Sequence, residues 1–162
     1  MPVNAVEAIA TMDHKRPTPI VRDAQVLLAR GIDALERGHL EEAAGLLGQT
    51  VELDPQSFHG LLGLGIALTR LYEIPQAEKA LESALALEPR NFYAHLRMAE
   101  LHLRVGVPTR AREELQQAMD LSDTPEQRKM VRELQAVDAK RAMRRIWRPD
   151  FSFLRKKKER PQ

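Results

Sequence analysis

Small and large side chains recur along this chain at an interval of thirty-four positions. The small ones fall at Gly31, Gly65 and Ala99, at Ala43, Ala77 and Ala111, and at Thr50, Ala84 and Ala118. Large ones fall between them at Leu27, Leu61 and His95, and at Leu47, Leu81 and Leu115. Pro55, in Glu52-Leu53-Asp54-Pro55, and Pro89, in Leu87-Glu88-Pro89, close the first two units, and a third opens at Phe92. Each unit reads as two helices separated by a breaker, so the pattern predicts helices over about 20–36 and 40–53, 58–71 and 75–87, and 92–105 and 108–121.

The punctuation fixes these bounds. Gly38 and Gly106 are stops, Asn91 is a cap, and Pro75 and Pro108 suit first helical positions, where the missing N–H has no intrahelical partner. The third unit has Asp123 where the closing proline belongs, and Pro125 arrives two residues late. A different element starts there: Thr124 and Gln127 are spaced for a capping box, predicting a seventh helix from 124 to about Trp147 that caps the stack. Upstream, Asn4 and Glu7 have capping spacing, and Val6, Ile9 and Ala10 can share one face of a short helix. Lys15-Arg16-Pro17-Thr18-Pro19 then reads as a hinge. The expected organisation is a short N-terminal helix and hinge (1–19), three repeats (20–123), a capping helix (124–147) and a basic, disordered tail (148–162).

Over residues 22–123 the pattern resembles the tetratricopeptide repeat, a helix-turn-helix unit with small residues where its paired helices approach and a proline near its end. There are departures. Arg30 stands where a large apolar residue is usual, and the aromatic of the first helix is Ala34, Leu68 or His102. The resemblance implies an all-α solenoid whose groove is lined from the first helix of each unit. Carried onto this chain, it implies a peptide-binding groove of Leu28, Ile32, Leu35, Leu62, Ile66, Arg70, Tyr93, Leu96 and Arg97. Adaptors that grip a terminal carboxylate place basic and amide residues at positions that here read Leu28, Ile32, Gly63, Tyr93 and Arg97, so only the last matches. An apolar groove suits a peptide held by side-chain burial, each buried Leu or Ile contributing roughly 1.5–3 kcal/mol before ordering costs. Leu62-Gly63-Leu64-Gly65 and the run from His95 to Glu100 also resemble bacterial type III secretion chaperones for translocator proteins. The basic tail departs from that group, which is typically acidic.

Composition narrows the functional classes. The chain has 162 residues, 43% hydrophobic and 4% aromatic, enough for one core packed by Leu and Ala. Without cysteine there is no disulfide, thiolate metal site or cysteine nucleophile. Glu7 interrupts any leader-like apolar run and no segment has the uncharged length of a membrane span, so the expected location is cytoplasmic. Charge is uneven: residues 140–162 hold ten Lys or Arg against two acids, a balance of +8 in a chain whose total is +2. There Arg144, Arg145, Trp147 and Arg148 precede Phe151 and Phe153, and then Arg155, Lys156, Lys157 and Lys158. Basic residues interleaved with interfacial aromatics suit an anionic surface, membrane lipid above nucleic acid, because the repeats are net acidic.

Enzyme chemistry finds little footing. His95 and His102 share a helix face, yet no HExxH surrounds them and no carboxylate pair completes a metal site. Gly60, Gly63 and Gly65 sit inside a predicted helix, with no preceding strand and no Lys-Ser/Thr, unlike a phosphate-binding loop. The expectation is therefore a non-enzymatic module without cofactor or metal, acting as a scaffold or adaptor for a protein or peptide. A secretion-type chaperone and a peripheral membrane adaptor working through the tail are the alternatives. The N-terminal segment is expected to pack on the stack or on a second copy of the chain, as a homodimer.

Overall fold

The computed structural model describes residues 19–146, with the side chains of 19, 21 and 144–146 outside the description. Among these residues the chain forms seven α-helices: α1 (Pro19–Arg37), α2 (Leu40–Leu53), α3 (Phe58–Leu71), α4 (Ile74–Leu87), α5 (Phe92–Val105), α6 (Pro108–Asp120) and α7 (Pro125–Ile146). The expected N-terminal helix and basic tail lie outside the described residues.

The helix ends follow their local chemistry. Asn91 Oδ1 accepts from the backbone N–H groups of Tyr93 at 2.9 Å and Ala94 at 3.2 Å, and Ser57 Oγ accepts from Gly60 N at 3.2 Å. The capping box at α7 closes reciprocally, Thr124 Oγ1 accepting from Gln127 N at 3.2 Å while Gln127 Oε1 accepts from Thr124 N at 3.3 Å and also from Asp123 N at 2.8 Å. Gly38 and Gly106 turn the chain after α1 and α5 with φ of 81° and 84°, the left-handed region that glycine enters without strain. The residue in the same register after α3 is Tyr72, at φ 63°.

Each odd-numbered helix packs on its even-numbered successor, α1 on α2, α3 on α4 and α5 on α6. The approach is close where the sequence is small. A Cβ on Gly31 would lie 2.7 Å from Leu47 Cγ, and one on Gly65 would lie 2.6 Å from Leu81 Cγ. Between units, α2 packs on α3, and α4 on α5. Successive first helices also touch, α1 with α3 and α3 with α5, whereas no two even-numbered helices do. Helices crowded on one side and splayed on the other curve the stack toward the α1-α3-α5 face.

The core runs along the stack in four clusters, from Ala34, Ala43, Leu47 and Ala67 at the first unit to Phe92, Leu96, Ala99, Leu115, Ala118 and Val131 at the last. Val131 belongs to α7, which lies over α6 and α5. Two charged groups fasten it. Arg112 Nε donates to Asp138 Oδ2 at 2.7 Å, and Arg141 Nη1 donates to the Leu103 carbonyl.

Candidate binding groove

The apolar positions expected to line a groove divide by unit. Leu28, Ile32 and Leu35 on α1 are half-buried, resting on the cluster of Ala34, Ala43, Leu47 and Ala67. On α3, Leu62 is half-buried over Phe58, Leu61 and Ala84 on one side and Leu81 and Met98 on the other, and Ile66 is half-buried one turn further along. Leu28 and Ile32 therefore stand in the same register as Leu62 and Ile66 on touching helices, each with part of its surface in solvent.

The third unit differs. Leu96 is 1% exposed and packs with Phe92, Leu115 and Val131, so it belongs to the core under α7 and not to an open face. Leu103, one register position from Arg104, is also buried. The correction has a plain cause. Periodicity assigns Leu96 to the same helix face as Leu28 and Leu62, and α7 covers that face at the end of the stack. Tyr93 stays exposed, its ring edge-on to Phe92 at 5.0 Å.

Two arginines of α5 are partly exposed beside Tyr93 and Val105. Arg97 Nη1 donates to Glu100 Oε2 at 2.9 Å and Arg104 Nη2 donates to Glu100 Oε1 at 3.3 Å, so one carboxylate bridges two guanidinium groups. Arg104 Cζ lies 5.7 Å from the centroid of the Tyr72 ring, within cation–π range. A cavity of about 280 Å³ opens between Tyr72, Glu100 and Arg104 on this side and Leu134 and Arg141 on α7. Arg70, the last groove residue of the second unit, is exposed on α3. A larger cavity, about 510 Å³, lies beyond Arg141, between Gly106 and Pro108 of the α5–α6 turn and Asp138 and Ala142 of α7. None of the expected groove residues lines it.

The sequence reading did not single out Tyr72, Arg104 or Arg141 as a group. A signal for Tyr72 was present, since it stands thirty-four residues from both Gly38 and Gly106 and so occupies a glycine slot. Of the residues expected at an anionic surface, Arg144 and Arg145 fall on α7 with side chains outside the description, and Trp147, Arg148, Phe151, Phe153, Arg155, Lys156, Lys157 and Lys158 lie outside the described residues.

His95 and His102 are packing residues. His95 Nδ1 faces Glu114 Oε2 of α6 at 2.7 Å and its Nε2 faces the Pro89 carbonyl at 2.9 Å, tying α5 to its partner helix and to the turn before it. His102 is buried. Among the described residues no group of three or more His, Asp or Glu is placed to hold a metal ion, and no helix is long and apolar enough to cross a membrane.

Two family models match the sequence, both of the tetratricopeptide repeat, over residues 28–73 and 72–134. No curated protein matches it. Among solved structures, the chain resembles the first TPR of Spaghetti (RPAP3) bound to an HSP90 peptide, SRMEEVD, with a TM-score of 0.64 and 20% identity over 74% of this chain and 95% of that one. It resembles the Arabidopsis OM64 TPR domain with a TM-score of 0.65 and 16% identity over 72% and 98% of the two chains. The Yersinia enterocolitica type III secretion translocator chaperone SycD gives a TM-score of 0.63 and 18% identity over 72% and 95%. At these identities the likeness carries the fold.

Proposed function

This chain is a tetratricopeptide repeat protein, and we propose that it is a non-enzymatic interaction module that holds a partner polypeptide against the α1-α3-α5 face. Leu28, Ile32, Leu35, Leu62 and Ile66 supply the apolar contacts, with Arg70, Tyr93 and Arg97 at the margin. The carrying observation is that large apolar side chains recur half-exposed in one register on two touching helices, on the side toward which the stack curves. Each of these side chains leaves part of its surface in solvent, and Leu28, Ile32, Leu35 and Leu62 also rest on the core, so the register presents an apolar strip that a partner can cover. The peptide bound to the Spaghetti TPR is a precedent for a ligand on this fold. Burying each Leu or Ile side chain contributes roughly 1.5–3 kcal/mol before ordering costs, so a few such contacts suffice for a reversible complex.

Replacing Leu62 and Ile66 together by Asp tests the reading. The double variant is expected to keep its helical circular dichroism, both side chains being half-exposed, and to lose the partner proteins that the wild-type chain retains in an affinity pull-down. Retention of the same partners by the folded variant would refute it.

A further inference from the structure

Resting on the peptide-binding reading, we propose that the α5 end of the groove selects acidic side chains of an internal peptide segment, read by Arg70, Arg97 and Arg104 and backed by the Tyr72 ring.

Charge complementarity carries the proposal. Glu100 takes one N–H from Arg97 and one from Arg104, and each guanidinium has five, so both retain donors for a second carboxylate. Arg70 holds on α3 the register that Arg104 holds on α5, on touching helices, and Arg141 lines the same cavity as Glu100 and Arg104. The Arg97 and Arg104 side chains are 27% and 30% exposed, so they are already partly ordered yet reachable. Ordered guanidinium groups lose less freedom on binding than free surface arginines and form the stronger, charge-assisted class of hydrogen bond.

Tyr72 is an independent pointer. It takes a left-handed backbone conformation that the other two units give to glycine, and it is the one non-glycine among the described residues to do so. The ring is 68% exposed, so burial does not offset the strain. The Arg104 guanidinium lies over its face, and the ring lines the same cavity as Glu100 and Arg141.

The number of donors favours several side chains over a single chain terminus. Arg97 and Arg104 both reach Glu100 and each keeps further N–H groups, so together with Arg70 they can serve more than one added carboxylate, and a terminus supplies one. Acidic side chains two residues apart on an extended segment share one face and are separated by about 7 Å. Leu28, Ile32, Leu62 and Ile66 continue the same face with apolar surface, which suits a polypeptide that carries apolar side chains beside its acids.

A phage-displayed random peptide library, selected on the full chain, tests this. The enriched sequences are expected to combine apolar residues with Asp or Glu, and a synthetic, C-terminally amidated copy of the best one should bind. Changing its acids to Gln should weaken it about tenfold, the scale of one charge-assisted hydrogen bond. The Arg70→Gln/Arg97→Gln/Arg104→Gln variant should bind the acidic and Gln forms alike, and Tyr72→Gly should weaken the acidic form with no fall in thermal midpoint. A neutral or basic consensus, indifference to the Gln change, or loss of binding on amidation alone would overturn the acidic-side-chain inference and leave the groove reading standing. A lower thermal midpoint in Tyr72→Gly with unchanged affinity would make the ring structural and overturn its role. Selected peptides that bind the folded Leu62→Asp/Ile66→Asp variant as well as wild type, or a library with no enrichment, would overturn the groove reading and this inference with it.

Discussion

Gly65 and Gly45 are both helical glycines, and their surroundings give them opposite roles. A methyl group on Gly65 would meet Leu81 Cγ at 2.6 Å, whereas one on Gly45 would have nothing within 4 Å. Alanine is favoured over glycine in a helix by about 1 kcal/mol, and overpacking a tight contact costs roughly 1–3 kcal/mol. Gly45→Ala is therefore expected to raise stability by up to about 1 kcal/mol, while Gly65→Ala should lower it by about 1–2 kcal/mol, both read by urea denaturation. A stabilised Gly65→Ala would show that Leu81 moves aside freely and that close approach does not set the α3–α4 distance. In the third unit Ala99 fills the equivalent slot, fully buried with Leu115, so that pair already accommodates the methyl group.

At the scale of elements, α7 has few apolar contacts for its length. Val131 is fully buried, and Met130 and Leu134 are half-buried against the same cluster. Val131→Ala is expected to destabilise the chain by about 2 kcal/mol, from lost burial and the cavity left over Leu96 and Leu115. A change within a few tenths of that in urea denaturation, or none, separates a cap that completes the core from one that merely lies on it. The helix boundaries were legible because breakers and caps mark them: α2, α3 and α5 match their expected spans, α4 starts one residue early at Ile74, and α6 ends at Asp120. The fate of Leu96 was not legible, because periodicity assigns a residue to a face without saying what covers it. The Arg97, Glu100 and Arg104 cluster was half legible. Their spacing of three and four residues permits bridging, but the Tyr72 contact depends on how two units stack.

For the whole molecule, the sequence separates acidic repeats from a basic end, and residues 144–158 are expected to bind anionic vesicles in flotation. Each basic residue near such a surface contributes about 1 kcal/mol, so binding should fall with salt and drop further when Trp147, Phe151 and Phe153 become Ala. Equal flotation with neutral vesicles, or none with acidic ones, would refute the expectation. The capping helix has a further consequence, for assembly. A ladder of repeats lengthens from copy to copy only when the last rung of one molecule accepts the first rung of the next. Here the last rung lies under α7, whose outward side carries Lys129, Arg132, Glu133 and Lys140 in solvent. Among the described residues, α1 exposes Ile20 at 59% and Val26 at 54%, while α7 sets Met143, 72% exposed, among those charges. A head-to-tail ladder would have to bury the charges of α7, so the cap opposes fibre growth through that end.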